Sequence, residues 1–108
     1  MGLRKRLLGD PTNEEIRRAL QEGATILDIR TPAEYQRGHL AGSLNVPLAE
    51  LLRELPSIPK GRPVVTCNAD DAQSAAAAEI LIAHGFHALD GGGWGHLSQL
   101  MESGRSKP

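Results

Sequence analysis

The sequence predicts an α/β protein, a three-layer α/β/α arrangement with a central, mainly parallel sheet. Three observations predict it. Short apolar runs recur at 25–29, 43–46, 63–67 and 86–89. A stretch with helical spacing follows each run, so strands and helices alternate along the chain. The runs are near-continuously apolar, the pattern of strands buried on both faces.

The elements follow in order. Asp10-Pro11-Thr12-Asn13-Glu14-Glu15 reads as a helix start, with Thr12 or Asn13 as the cap and the acidic pair facing the positive helix end. Ile16, Ala19 and Leu20 form its apolar stripe, and Gly23 stops it. Residues 25–29 are the first strand. Thr31 caps a short helix over 32–37 with Pro32 at its first position, and Gly38 ends it. Residues 43–46 are a second strand closed by Pro47. Leu48, Leu51, Leu52 and Leu55 share one face of a helix over 48–55, which Pro56 and Pro59 break. Residues 63–67 are the third strand. An Ala-rich helix runs from Ala72 or Gln73 to His84, and Gly85 ends it. Residues 86–89 are a fourth strand, 90–93 a tight glycine loop and 94–101 a last helix.

Composition narrows the function classes. The 108 residues suit one domain over 1–108, with a core of about 12–102 and frayed ends at 1–9 and 103–108. Hydrophobic content of 40% and charged content of 23% are those of an ordinary globular chain. Only 3% is aromatic, so Leu, Ile, Val and Ala must build the core. A net charge of -1 points to no nucleic-acid partner. No apolar run reaches the ~18 residues of a membrane span. The basic start has no long apolar region, so no secretory signal is expected, and Arg6 stands where N-myristoylation wants Ser or Thr. The single cysteine excludes an internal disulfide and fits a reducing, cytoplasmic setting.

That cysteine is the first candidate for chemistry. Cys67 sits between a strand end and a helix start, where free backbone N–H groups and the helix dipole favour a thiolate or an oxyanion. The structural alternative is a small buried hydrophobe at a strand end. His39, His84, His87 and His96 have no metal-ligand spacing with Cys67, so neither metal nor cofactor is expected.

The stretch Leu27-Asp28-Ile29-Arg30-Thr31-Pro32-Ala33-Glu34-Tyr35-Gln36-Arg37-Gly38-His39-Leu40-Ala41-Gly42-Ser43-Leu44-Asn45-Val46-Pro47 resembles the N-terminal signature of the rhodanese-like domain. That signature runs Asp-x-Arg, an acidic-aromatic pair, then Gly-His-x-x-Gly-Ala/Ser-x-Asn-x-Pro. Ser74-Ala75-Ala76-Ala77-Ala78, Gly85-Phe86 and Asp90-Gly91-Gly92 also resemble the family, so the likeness covers about residues 12–100. It implies a mainly parallel five-stranded sheet and a cysteine in a cradle loop. It further implies sulfur transfer: the cysteine takes a sulfane sulfur from thiosulfate or a persulfide and passes it to a thiol, of a small molecule or of a protein, or to cyanide. Cys67 matches that cysteine, with residues Asn68, Ala69, Asp70, Asp71, Ala72, Gln73 and Ser74 as the anion-binding loop.

The loop departs from the family pattern Cys-x-x-Gly-x-Arg-Ser. It is one residue longer between Cys67 and Ser74, and it lacks both the Gly and the Arg. Its length matches the Cys-x5-Arg loop of phosphatases and arsenate reductases of this fold. Gln73 occupies the Arg position, however, and brings no charge to a phosphoryl transition state. Asp70 and Asp71 raise the thiol's pKa if they face it, or cap the next helix if they turn away. Arg30, also at the end of a strand, is the candidate to supply the missing positive charge. Asp28, Arg30, Glu34 and His39 read as an architectural network. The three glycines allow close backbone approach or simply a tight turn, and Trp94 covers the pocket or plugs the core. Two functions remain in view, a sulfurtransferase and a catalytically silent binding module of the same fold.

Overall fold

In the computed structural model, which describes residues 11–69 and 71–105, Thr12 opens the first helix by a reciprocal cap. Its hydroxyl accepts the Glu15 N–H at 3.1 Å, and the Glu15 carboxylate accepts the Thr12 N–H at 3.0 Å. Helix α1, Asn13–Gln21, buries Ile16 and Ala19. Gly23, at φ 91°, turns the chain into strand β1, Thr25–Asp28. Thr31 and Glu34 repeat the same cap at helix α2, Pro32–Arg37, with the proline in its first turn.

Strand β2 is only Leu44–Asn45. The helix expected over 48–55 is split. A 3₁₀ turn, Leu48–Glu50, leads into helix α3, Leu51–Glu54, and a second 3₁₀ turn, Leu55–Ser57, follows. Pro56 explains the break, since it has no N–H to close the next α-helical hydrogen bond. Strand β3, Val64–Asn68, and helix α4, Asp71–Ala83, lie within a residue or two of their expected bounds.

Strand β4 is Ala88–Gly93, so the expected glycine loop is itself strand. Gly91 supplies the reason. A Cβ there would stand 2.5 Å from the Thr66 carbonyl oxygen and 2.7 Å from Val65 Cγ1. Only glycine lets β4 lie this close to β3. Thr66 pairs with Asp90 but Asn68 pairs with Gly93, so β4 carries one extra residue across a bulge. Gly92, at φ 74°, sits within it. Helix α5, Trp94–Arg105, runs beyond its expected end at Met101. The expected frayed end at 1–9 lies outside the described residues, as does 106–108 of the one expected at 103–108, whereas 103–105 continue α5.

The strands are all parallel, in the order β2-β1-β3-β4. The described sheet has four strands, not five. The sequence holds only four apolar runs, and the segment between β2 and β3 is occupied by helical turns and prolines. One face packs Leu27, Ile29, Val46 and Val64 against Leu51 of α3 and Ala77, Ala78 and Leu81 of α4. The other packs Ile26, Val65 and Cys67 against Ile16 and Ala19 of α1 and Leu97 and Leu100 of α5.

Candidate functional site

Successive side chains of a strand point to opposite faces, and β3 is buried on both. Val65 and Cys67 therefore turn to the α1/α5 layer, while Val64 and Asn68 turn to the α4 layer. Cys67 is 0% exposed. Its partner in the parallel register is Asp28 of β1, and its carbonyl oxygen accepts the Ile29 N–H at 3.0 Å.

Asp28 in turn holds Arg30. The guanidinium donates from Nη2 to Oδ2 at 2.8 Å and from Nε to Oδ1 at 3.0 Å, and the Arg30 backbone N–H also reaches Oδ1 at 3.0 Å. Both side chains are buried. Arg30 Nη2 also donates to the Gly38 carbonyl at 2.7 Å, and its Cζ lies 4.8 Å from the centre of a Trp94 ring. The indole reaches Gly38 as well, where an added Cβ would meet Trp94 Cη2 at 3.6 Å. Asn45 braces the strand end by donating from Nδ2 to the carbonyls of Asp28 and Arg30. Asp28, Arg30 and Asn45, with Gly38, form one strut that links β1 to α5 and β2.

The electrostatics follow from this placement. Burial, then the Asp28 carboxylate, push the Cys67 thiol from its ordinary value of 9.0 up to about 12, and Arg30 opposes them. Arg30 itself is raised, first by its hydrogen bond to Asp28. The positive charge expected of Arg30 is thus present near the thiol, but it is bound to a carboxylate that pushes the other way.

A cavity of about 500 Å³ lies at the carboxyl rim of the sheet. Ile29, Arg30, Thr31 and Glu34 form one wall, Pro47, Leu48 and Ala49 a second, and Asn68, Ala69 and Gln73 a third. Asn68 Nδ2 donates to Gln73 Oε1 at 3.0 Å, which fixes the third wall. Cys67 is not among the described lining residues. Cys67 packs instead in the α1/α5 layer.

Of the expected loop residues, Asn68, Ala69 and Gln73 meet at the cavity. Asp71 and Ala72 begin α4. Asp70 and the side chains of Asp71 and Ala72 lie outside the described residues, and with them the question of which carboxylate caps α4. Ser74, expected as a donor to the cradle, also meets β4. Its hydroxyl donates to Asp90 Oδ1 at 2.6 Å, and that oxygen also accepts the Gly92 N–H at 3.0 Å. The Ser74 carbonyl accepts from Thr66 Oγ1 at 2.8 Å. Ser74 therefore ties α4 to the β4 bulge. Thr31, Pro47, Leu48 and Ala49 were missed as cavity walls. Their signal was available, because each follows the carboxyl end of a strand.

Among the described residues no cluster of His, Cys, Asp and Glu could hold a metal ion, and no helix is long and apolar enough to cross a membrane.

The family model of the rhodanese-like domain matches residues 12–94. The chain belongs to this family. It is 37% identical over 71 residues to the thiosulfate sulfurtransferase PspE of Escherichia coli K12, covering 62% of this chain and 67% of that one. It is 31% identical over 81 residues to the uncharacterized protein YqhL of Bacillus subtilis, covering 75% of this chain but only 64% of that protein's length. Among solved structures it resembles a rhodanese-related protein of Thermoplasma volcanium, with a TM-score of 0.67 and 28% identity over 85% of this chain and 89% of that one. The α/β fold of this rhodanese-like chain is the one that solved structure shares.

Proposed function

We propose that the chain is a single-domain rhodanese-like sulfurtransferase acting in the cytoplasm, with Cys67 as nucleophile and sulfur carrier. One observation carries the reading. The only thiol stands at the carboxyl end of β3, one residue from the wall of a cavity built by the three loops of that rim. Two relatives named thiosulfate sulfurtransferase support it.

The first step is attack of the Cys67 thiolate on the outer sulfur of the donor. A new S–S bond forms, the donor's own bond to that sulfur breaks, and sulfite or a thiolate leaves. In the second step an acceptor thiolate or cyanide attacks the outer sulfur of the Cys67 persulfide and releases Cys67. No oxidant or reductant is consumed. The backbone N–H groups from Asn68 to Gln73 would receive the persulfide anion. Because Cys67 has no exposed surface, the thiol must turn or the loop must shift before attack.

Intact-protein mass spectrometry after exposure to thiosulfate or a small persulfide tests the reading. The expected result is a gain of one sulfur that is lost in Cys67→Ser. No adduct with any donor overturns it.

A second reading has its own observation. A thiol with no exposed surface and a pKa near 12 is a poor nucleophile at neutral pH. Together with Gln73 in place of an arginine, this favours a silent rhodanese-like module that binds a ligand in the rim cavity. Sulfur loading of Cys67 at neutral pH, by any donor, would decide for the enzyme. Phosphatase or arsenate-reductase chemistry is the least supported, since Gln73 carries no charge and its Oε1 is engaged by Asn68.

A further inference from the structure

The charges around the rim cavity select among sulfur donors. Two ionisable side chains line it among the described residues, Arg30 and Glu34. Arg30 meets the Asp28 carboxylate in a buried, bidentate pair, so toward the cavity the two charges largely cancel. Glu34 is left. Its Oε1 accepts the Thr31 N–H at 3.1 Å, which anchors the carboxylate at the mouth. The other polar walls are the neutral Thr31, Asn68 and Gln73, and the rest, including Ile29, Pro47 and Leu48, are apolar.

We infer that this site takes its sulfur from an uncharged or cationic organic hydropersulfide with an apolar substituent, and discriminates against anionic donors, thiosulfate included. The inference rests on the sulfurtransferase reading and narrows it. Among the described residues, a dianion entering the cavity meets a carboxylate and no cation that is not already paired. An aryl or alkyl group meets Leu48, Pro47 and Ile29, and gains from leaving water. The transfer balances without a co-reactant. The Cys67 thiolate bonds to the outer sulfur of R–S–SH, the donor S–S bond breaks, and R–S⁻ leaves. That thiolate then takes the proton of the new Cys67–S–SH group, giving R–SH and the Cys67 persulfide anion.

The test compares donors with one reacting group and different charge. Benzyl, 4-carboxybenzyl and 4-aminomethylbenzyl hydropersulfides, with thiosulfate as a fourth, are each mixed with the full chain. Single-turnover loading of Cys67 is then followed by intact mass. The uncharged and cationic compounds are expected to load about three- to tenfold faster than the carboxylate at low salt, a gap that narrows at ~1 M salt. Glu34→Gln retains an oxygen for the Thr31 N–H and is expected to raise the carboxybenzyl-to-benzyl ratio. Salt dependence in the unaltered protein gives the same answer if that variant folds poorly. Loading of all four with equal rates, or fastest loading by thiosulfate, overturns the selectivity and leaves sulfur transfer standing. No loading by any donor overturns the sulfurtransferase reading itself.

Discussion

Asp28 and Cys67 are register partners on adjacent strands, so a carboxylate stands beside the thiol in the same buried layer. Arg30 is clamped to that carboxylate at 2.8 Å. Asp28 thus has two roles that pull apart: it neutralises a buried cation and it disfavours the thiolate.

Asp28→Asn separates them. Arg30 is left buried without its counter-charge, and a loss of about 3–5 kcal/mol in stability is expected, read as a lower urea midpoint. The thiol, freed of the carboxylate but still near Arg30, becomes more acidic. Iodoacetamide should therefore label Cys67 faster at pH 8 than in the unaltered protein, under conditions where circular dichroism shows the variant folded. Slower labelling would mean that Arg30 follows Asp28 out of the site.

The pH response of the unaltered chain has a definite sign. The folded thiol, at about 12, holds its proton more tightly than the unfolded thiol at its ordinary 9.0. The unfolded chain gives up the proton first. This contribution to stability is full below pH 9 and declines as pH rises toward 12. Alkylation of Cys67 should rise about tenfold per pH unit between 7 and 10 with no plateau. Denaturant melts at pH 8 and pH 10 should show a fall in stability that Cys67→Ala lacks.

Gly91→Ala puts a methyl group against the Thr66 carbonyl oxygen and Val65 Cγ1, neither of which can move without β3. A loss of about 2–3 kcal/mol is expected from this overpacking. The measurement is the urea midpoint. Gly95→Ala, where nothing lies within 4 Å, is the control and should be near neutral.

Ser74→Ala removes the hydroxyl that meets Asp90 and leaves a carboxylate with fewer partners. The expected cost is about 1–2 kcal/mol. Because the Ser74 hydroxyl donates to Asp90 at the β4 bulge, the Cys67 alkylation profile should not shift. A shift would return Ser74 to the cradle.

Apolar runs bounded by Pro and Gly placed β1 and β3 to within a residue, and the helix starts were legible from Thr12 or Asn13 before an acidic pair and from Thr31 before Pro32. Strand β4 was displaced because Asp90-Gly91-Gly92-Gly93 has the composition of a turn. Its extended form depends on Val65 and Thr66, 25 residues or so away in sequence, which no local pattern displays. The position of Cys67 at a strand end was legible for the same reason as the strand. Its direction was not. When both faces of a strand are buried, apolar and polar residues do not alternate, and nothing in the run 64–68 tells which side the sulfur takes. The ion pair was visible as charged signature residues, but its effect on the thiol depends on a register that only the folded sheet supplies.

The alternation of β3 has one more consequence. Cys67 and its acidity belong to the layer of Leu97, Leu100 and Trp94, whereas ligand fit belongs to the layer of Asn68, Gln73 and Leu48. Arg30 reaches both, so only substitutions that spare the Asp28–Arg30 pair leave the other layer largely untouched. Descendants of this chain can thus exchange one ligand for another while the sulfur's environment is inherited intact, or lose the reactive thiol while continuing to bind.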